Sequence, residues 1–290
     1  MFVDYITTME KRTKKLNKRR VLIILFVVSV AAIVVFSAAL AIELIGQRQG
    51  QSYYADLSYD IMSNVSRRGP AIRQPAAQPA ADGNASAGSE PGAVANEGQA
   101  AEEIPWEPIM DFGALGERLP GLSAWILSEG TVINYPVMQW SDNAHFLSHL
   151  PDGERHKMGS VFMDYRNAPD FTDLNTLIYG HKMGSGDIFG SLEKYNDQAY
   201  YEQHPTMYLF TPERDYVIEL LAGYLLDSAV ETPPLRFEDA EAFEDYVADI
   251  KLRSIFESGV GAVPGDRLVC LCTCAYNFQN ARLVVVGKLV

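Results

Sequence analysis

Residues 21–42 read VLIILFVVSVAAIVVFSAALAI, twenty-two positions without a charge. No other stretch limits the chain so strongly. As a helix rising 1.5 Å per residue it spans about 33 Å, enough to cross a hydrocarbon core of about 30 Å, and a helix satisfies its own backbone polar groups as lipid requires. Residues 1–20 hold seven Lys and Arg against Asp4 and Glu10, a charge of +5, whereas the other 270 residues carry −18 of the net −13. The positive-inside rule therefore predicts a cytoplasmic N-terminus and an acidic bulk outside. A buried core helix would be amphipathic, and this one is apolar all round. A cleaved signal peptide is the better rival, because Ala39-Leu40-Ala41 has the small residues of a cleavage site. Its apolar region is usually only 7–15 residues long, so length favours an uncleaved anchor over residues 21–43.

Beyond the anchor, residues 44–68 are mixed, with a short helix predicted near 53–65. Residues 69–102 then hold eleven Ala, five Gly and four Pro, no aromatic residue, and only Ile72 and Val94 as large aliphatics. Such a stretch buries too little apolar surface to offset its ordering entropy, and it reads as a flexible tether reaching on the order of 30 Å. From residue 104 short β-branched and aromatic runs alternate with turn signals. Strands are predicted near 125–129, 134–139, 160–165, 176–181, 206–211, 216–227, 268–274 and 282–289. Eight strands in this length point to a closed or sandwich-like β fold. One helix interrupts them over 237–257, where Ala240, Phe243, Val247 and Ile250 recur at helical spacing opposite an acidic face.

The acidic balance argues against a nucleic-acid partner, which needs a basic face. Three cysteines exclude a disulfide-built scaffold. All three, Cys270, Cys272 and Cys274, alternate along one predicted strand and so share a face. A disulfide between i and i+2 of a strand is disfavoured, since the Cα atoms sit near the limit of about 7 Å with parallel Cβ vectors. A straight strand does not let three sulfurs converge at about 2.3 Å on one zinc ion. Free thiols remain, either inert and buried or with one of them reactive. A free thiol in an oxidising compartment is a liability unless chemistry needs it, which favours a nucleophile.

A nucleophilic thiol needs a proton partner. His181 ends the apolar run TLIYGH and leads into the glycine-bearing loop Lys182-Met183-Gly184-Ser185-Gly186, the kind of strand end where scaffolds present reactive groups. An ordinary surface histidine is the alternative. His145 and His149, four apart, would share a helical face, but the Glu of a zinc-protease HExxH is missing, so no metal site is assigned there. Arg282 opens the apolar run Leu283-Val284-Val285-Val286. Its guanidinium suits an oxyanion or a substrate carbonyl, and a snorkelling strand-end charge is its plainer reading.

Leu271-Cys272-Thr273-Cys274 followed by Arg282 resembles the TLxTC…R signature of sortases, the bacterial surface transpeptidases. Residues 175–181, NTLIYGH, resemble their histidine strand. The likeness runs in order through Trp125-Ile126, Ile133-Asn134-Tyr135-Pro136-Val137, 159–165 and 284–289, covers about 104–290, and is most similar to class B. The resemblance implies an eight-stranded sortase barrel over 104–290, behind a basic tail (1–20), an anchor (21–43) and a juxtamembrane segment with linker (44–103). It implies a transpeptidase in which Cys274 attacks the carbonyl after a Thr in the sorting signal of a secreted protein. His181 would protonate the leaving amine and then assist an incoming amine from a cell-wall precursor or a pilin lysine. Arg282 would hold the substrate or the oxyanion, and Thr273 and Cys272 would border the substrate. No cofactor is implied. The match departs at Cys272, where class B members usually carry a small hydroxyl residue, which leaves the exact sorting motif open. Hydrolysis of the same thioester and a catalytically silent surface-binding module are the competing functions.

Overall fold

A short strand with one apolar face cannot bury that face alone, and closure of the sheet removes both the exposed face and the open edges. The computed structural model of the chain describes residues 2–68, 110–274 and 281–290. Eight strands, β1 (Leu122–Leu127), β2 (Asn134–Met138), β3 (Val161–Met163), β4 (Asn175–His181), β5 (Thr206–Phe210), β6 (Asp215–Asp227), β7 (Arg267–Cys274) and β8 (Ala281–Leu289), form a closed barrel. Their order around it is β1-β2-β3-β4-β7-β8-β6-β5, with β1 and β5 paired to complete the ring. All eight predicted strands are present, with ends moved by up to three residues. The barrel is the sortase-type architecture expected from the resemblance.

Two strand pairs are parallel, β2 with β3 and β4 with β7. The second matters most for the site. A parallel pair needs a crossover, and the chain between β4 and β7 supplies it through a 3-10 helix (Phe189–Asn196), a short helix (Gln198–Gln203), the β5–β6 hairpin and a longer helix (Ala240–Leu252). In chain order the α-helices are α1 (Phe2–Arg68), α2 (Phe112–Arg118), α3 (Gln198–Gln203) and α4 (Ala240–Leu252).

Helix α4 is shorter than its predicted span of 237–257. Asp239 caps it, accepting a hydrogen bond from the Ala242 N–H, and after Arg253 the chain turns back so that the Ile255 N–H donates to the Gly223 carbonyl of β6. The buried side of α4, Phe243, Val247 and Ile250, packs with Leu177, Leu268, Cys270, Cys272, Val284 and Val286 on the outer face of β4, β7 and β8. Each large side chain buried there contributes roughly 1.5–3 kcal/mol. Helices α2 and α3 and the 3-10 turns went unpredicted; at three to eight residues they carry little periodic signal.

The N-terminal region differs from its predicted layout. One uninterrupted helix, α1, covers both the predicted anchor and the short helix predicted near 53–65. Residues 1–54 form one compact unit and 55–290 another. The uncharged stretch is exposed along its length, and one candidate span, Arg20–Ile61, is long and apolar enough to cross a membrane among the described residues. Within the second unit Leu57 and Ile61 are buried, the Ser58 hydroxyl donates to the Asn134 carbonyl, and Asp60 pairs with Arg118 at 2.6 Å. The predicted tether, 69–102, lies outside the described residues.

Candidate active site

Strands β4 and β7 run in register over seven pairs, and the last pair joins His181 to Cys274. Neighbouring strands lie about 4.8 Å apart, so the two backbones meet at that separation although 93 positions part them in sequence. Partners in a parallel register share a face, and that face already holds Leu177 opposite Cys270 and Tyr179 opposite Cys272. Positions 181 and 274 therefore sit at the end of the face that α4 covers farther along.

The third residue arrives from β8. Its antiparallel register with β7 pairs Cys270 with Val286 and, as its last pair, Cys272 with Val284; Arg282 lies two residues before Val284 on β8, as Cys274 lies two after Cys272 on β7. The two strands are held there by a side chain. The Thr273 hydroxyl accepts from the Leu283 N–H at 3.0 Å and donates to the Leu283 carbonyl at 3.2 Å. Arg282 is half-buried, and its Nε has no hydrogen-bond partner among the described residues. A desolvated guanidinium donor of this kind is costly unless something accepts from it. It is a natural docking point for a carbonyl or an oxyanion.

His181 is only 4% exposed. Its Nε2 lies 2.6 Å from the Leu147 carbonyl oxygen. A carbonyl can only accept, so Nε2 carries the hydrogen and Nδ1 of the neutral ring carries the lone pair. Burial lowers the pKa of the imidazole and outweighs the opposing effect of the Leu147 carbonyl. Two glycines shape the niche. Gly180 needs to have no side chain, because a Cβ there would come within 2.7 Å of the Phe189 ring. Gly159, at φ +59°, would place a Cβ 2.6 Å from the Phe146 carbonyl oxygen and 3.1 Å from the His181 ring.

The other predicted site residues are also buried. Thr273 and Cys272 are 1% and 2% exposed, the first bonded to Leu283 and the second directing its sulfur at the Cys270 carbonyl at 3.7 Å. Cys270 is fully buried between Asn175 and Tyr246, and burial pushes its thiol up to about 11. That environment suits an inert thiol. His145 and His149 do not share a helical face: residues 145–147 form a 3-10 turn and the two rings stack at 4.3 Å. Among the described residues no group of three His, Cys, Asp or Glu side chains is placed to hold a metal ion.

Beside the histidine strand lies a buried carboxylate that the sequence reading did not single out. Asp164 is fully buried and accepts from the Arg166 backbone N–H, Nε and Nη2, from Asn143 and from the Tyr179 hydroxyl. Burial alone would raise its pKa; the Arg166 and Asn143 hydrogen bonds outweigh it and hold the carboxyl down at about 2. Asp164 fell within the stretch 159–165 of the resemblance, but nothing in that stretch reveals that one carboxylate ties strand to loop.

No family model matches the sequence. The chain is 36% identical over 186 residues to Sortase B of Listeria monocytogenes, an alignment covering 63% of this chain and 74% of that protein. In three dimensions it resembles a Staphylococcus aureus sortase B–substrate complex, with a TM-score of 0.60 and 30% identity over 62% of this chain and 84% of the other. It also resembles a crystal structure of Sortase B complexed with triglycine, with a TM-score of 0.65 and 25% identity over 84% of this chain and 98% of the other.

Proposed function

The chain belongs to the sortase B family of cysteine transpeptidases, and from that premise we propose that it joins secreted proteins to an amine through a thioester on Cys274. The observation that carries this reading is the pairing of His181 with Cys274 at the end of two parallel strands. The thiol gives its proton to His181, and its sulfur attacks the carbonyl carbon that follows a Thr in a C-terminal sorting signal. The carbonyl electrons move onto oxygen, and Arg282, whose buried Nε has a donor to offer, holds that oxyanion. The tetrahedral intermediate collapses, the C–N bond breaks, and the departing amine takes a proton from His181. A second amine then attacks the thioester carbonyl, His181 accepts its proton, and the thiol is restored. Splitting amide exchange in this way replaces one difficult step by two easier ones.

A thiol of ordinary pKa is only a few per cent thiolate at neutral pH, so it depends on a nearby base. A buried imidazole held neutral is suited to that role. The incoming amine is proposed to be that of a cell-wall precursor, a reading supported by the likeness to the triglycine complex; a pilin lysine is the other candidate. Cys272 and Thr273 lie directly before the nucleophile and are proposed to border the bound Thr, Thr273 by fixing the strand and Cys272 by its bulk. The apolar helix is proposed to anchor the enzyme, with the basic residues 1–20 in the cytoplasm and the barrel outside.

The test is a quenched peptide library carrying class B-type sorting motifs, incubated with the full-length chain in detergent with and without triglycine. Cleavage after Thr with a ligated triglycine product supports transfer. Cleavage that yields only free acid makes the protein a hydrolase. No cleavage, together with no labelling of Cys274 by a methanethiosulfonate, leaves only a surface-binding role.

A further inference from the structure

His181 takes its orientation from a main-chain carbonyl in the 142–149 loop, and that loop is unusually well fastened. Asp142 accepts from the Ala144 and His145 N–H groups at 2.7 and 2.9 Å. Asn143 bridges outward, donating to Asp164 and accepting from the Tyr165 N–H, both at 2.9 Å. The Ser160 N–H donates to the Phe146 carbonyl, and its hydroxyl to the His149 carbonyl, each at 2.8 Å. Above these bonds three rings stack, Trp140 on His145 at 4.6 Å and His145 on His149 at 4.3 Å, the two imidazoles within 2° of parallel. The His149 Nδ1–H donates to the His145 carbonyl at 2.7 Å, closing the turn that presents the Leu147 carbonyl. Burial, then the neighbouring His149, keeps His145 below its usual range, which favours an uncharged ring at the centre of the stack.

We propose that this loop sets the tautomer of His181, so that Nδ1 is the nitrogen that exchanges protons with thiol and substrate, and that His149 is a positioning residue for it. The chemical reason is economy of donors. While Nε2–H is held by Leu147, the only ring nitrogen that can take up and release a proton is Nδ1. If the carbonyl turned away, the neutral ring would be free to adopt the other tautomer, and a basic lone pair would face the wrong way. The assignment of a role to Nδ1 rests on the transpeptidase reading; the tautomer does not.

The experiment reads both. Side-chain 15N spectra of the full-length chain in detergent micelles, labelled at histidine, report which nitrogen of His181 is protonated above its titration range. Two variants separate the parts of the loop: His149→Phe keeps a flat ring on His145 but removes the donor, and His149→Asn keeps a donor near the position of Nδ1 without the ring. The parent chain is expected to show Nε2–H. His149→Phe should mix the two tautomers and lower kcat about tenfold with little change in KM, a fraction of what an acid–base group supplies. His149→Asn should restore both towards the parent. Nδ1–H in the parent, or an unchanged tautomer and kcat in a folded His149→Phe, would overturn the proposal. Because the spectrum needs no turnover, a chain that cleaves no sorting peptide yet shows Nε2–H would remove the proposed reaction and leave the tautomer assignment standing.

Discussion

The outer face of β4, β7 and β8 has two ends built on the same three strands. At one end Leu177, Cys270 and Val286 lie beneath α4, closed to solvent and apolar. At the other, His181 and Cys274 pair in register and Arg282 follows on β8. Cysteine occurs at both ends, four residues apart on one strand. The difference teaches that position along the strand separates a packing thiol from the proposed nucleophile. Burial raises the Cys270 thiol to about 11, which all but abolishes thiolate at neutral pH.

The largest expected effect tests that contrast directly. Cys274→Ala should abolish peptide cleavage, with the thermal unfolding midpoint barely moved. Cys270→Ala should do the reverse, keeping cleavage but losing about 1–2 kcal/mol from the cavity it leaves, measured by denaturant unfolding. A methanethiosulfonate should label the native chain at position 274 and reach 270 and 272 only after unfolding. If Cys270→Ala removed activity and Cys274→Ala removed stability, the two ends would have to exchange roles.

Next come the neighbours of the proposed nucleophile. His181→Ala is expected to lower kcat/KM by about 10²–10⁴ and Arg282→Ala by about 10²–10³, the ranges for losing an acid–base group and an oxyanion donor. Equivalent changes placed under the helix, such as Leu177→Ala, should cost stability and leave the rate of the folded fraction within a few-fold. Steady-state kinetics alongside unfolding curves separate the two outcomes, and similar rates in all three variants would erase the distinction between the ends.

Much of this contrast was legible before any coordinates. The strand runs around residues 177, 270 and 284 announce themselves by β-branched composition, and the alternation of Cys270, Cys272 and Cys274 already places them on one face. The candidates for nucleophile, base and guanidinium, Cys274, His181 and Arg282, came from the cysteine alternation, the strand-end histidine and the sortase-like motif, which report only the order of residues along the chain. What spacing cannot report is main-chain function. The Leu147 carbonyl that fixes His181 belongs to a group every residue possesses, so no side chain advertises it. Thr273 reads as part of a site motif, yet its hydroxyl bonds the Leu283 backbone, a role set by where β7 and β8 part. Helix α1 was expected in two pieces, the apolar 21–43 and a short helix near 53–65, and only its continuity was missed.

The smallest expected effect concerns how each end is held. The covered end rests on apolar burial and should be indifferent to acid. The end that holds His181 leans on Asp164, which ties Tyr179 of β4 to Asn143 of the loop beneath His181. Its carboxyl titrates at about 2 in the folded chain against an ordinary 3.8. Between those values the unfolded chain binds more protons, so the contribution is complete above pH 4 and is lost as the pH falls towards 2. Because the Arg166 partner is half exposed, that contribution is discounted to about 1–2 kcal/mol. Unfolding curves from pH 7 to pH 2 should therefore steepen their loss of stability below pH 4, and Asp164→Asn, less stable at neutral pH, should lose that extra slope. A variant that keeps the parent's acid dependence would show that the carboxylate is not what fastens the His181 end, and the division between a charge-held and a burial-held end would fail with it.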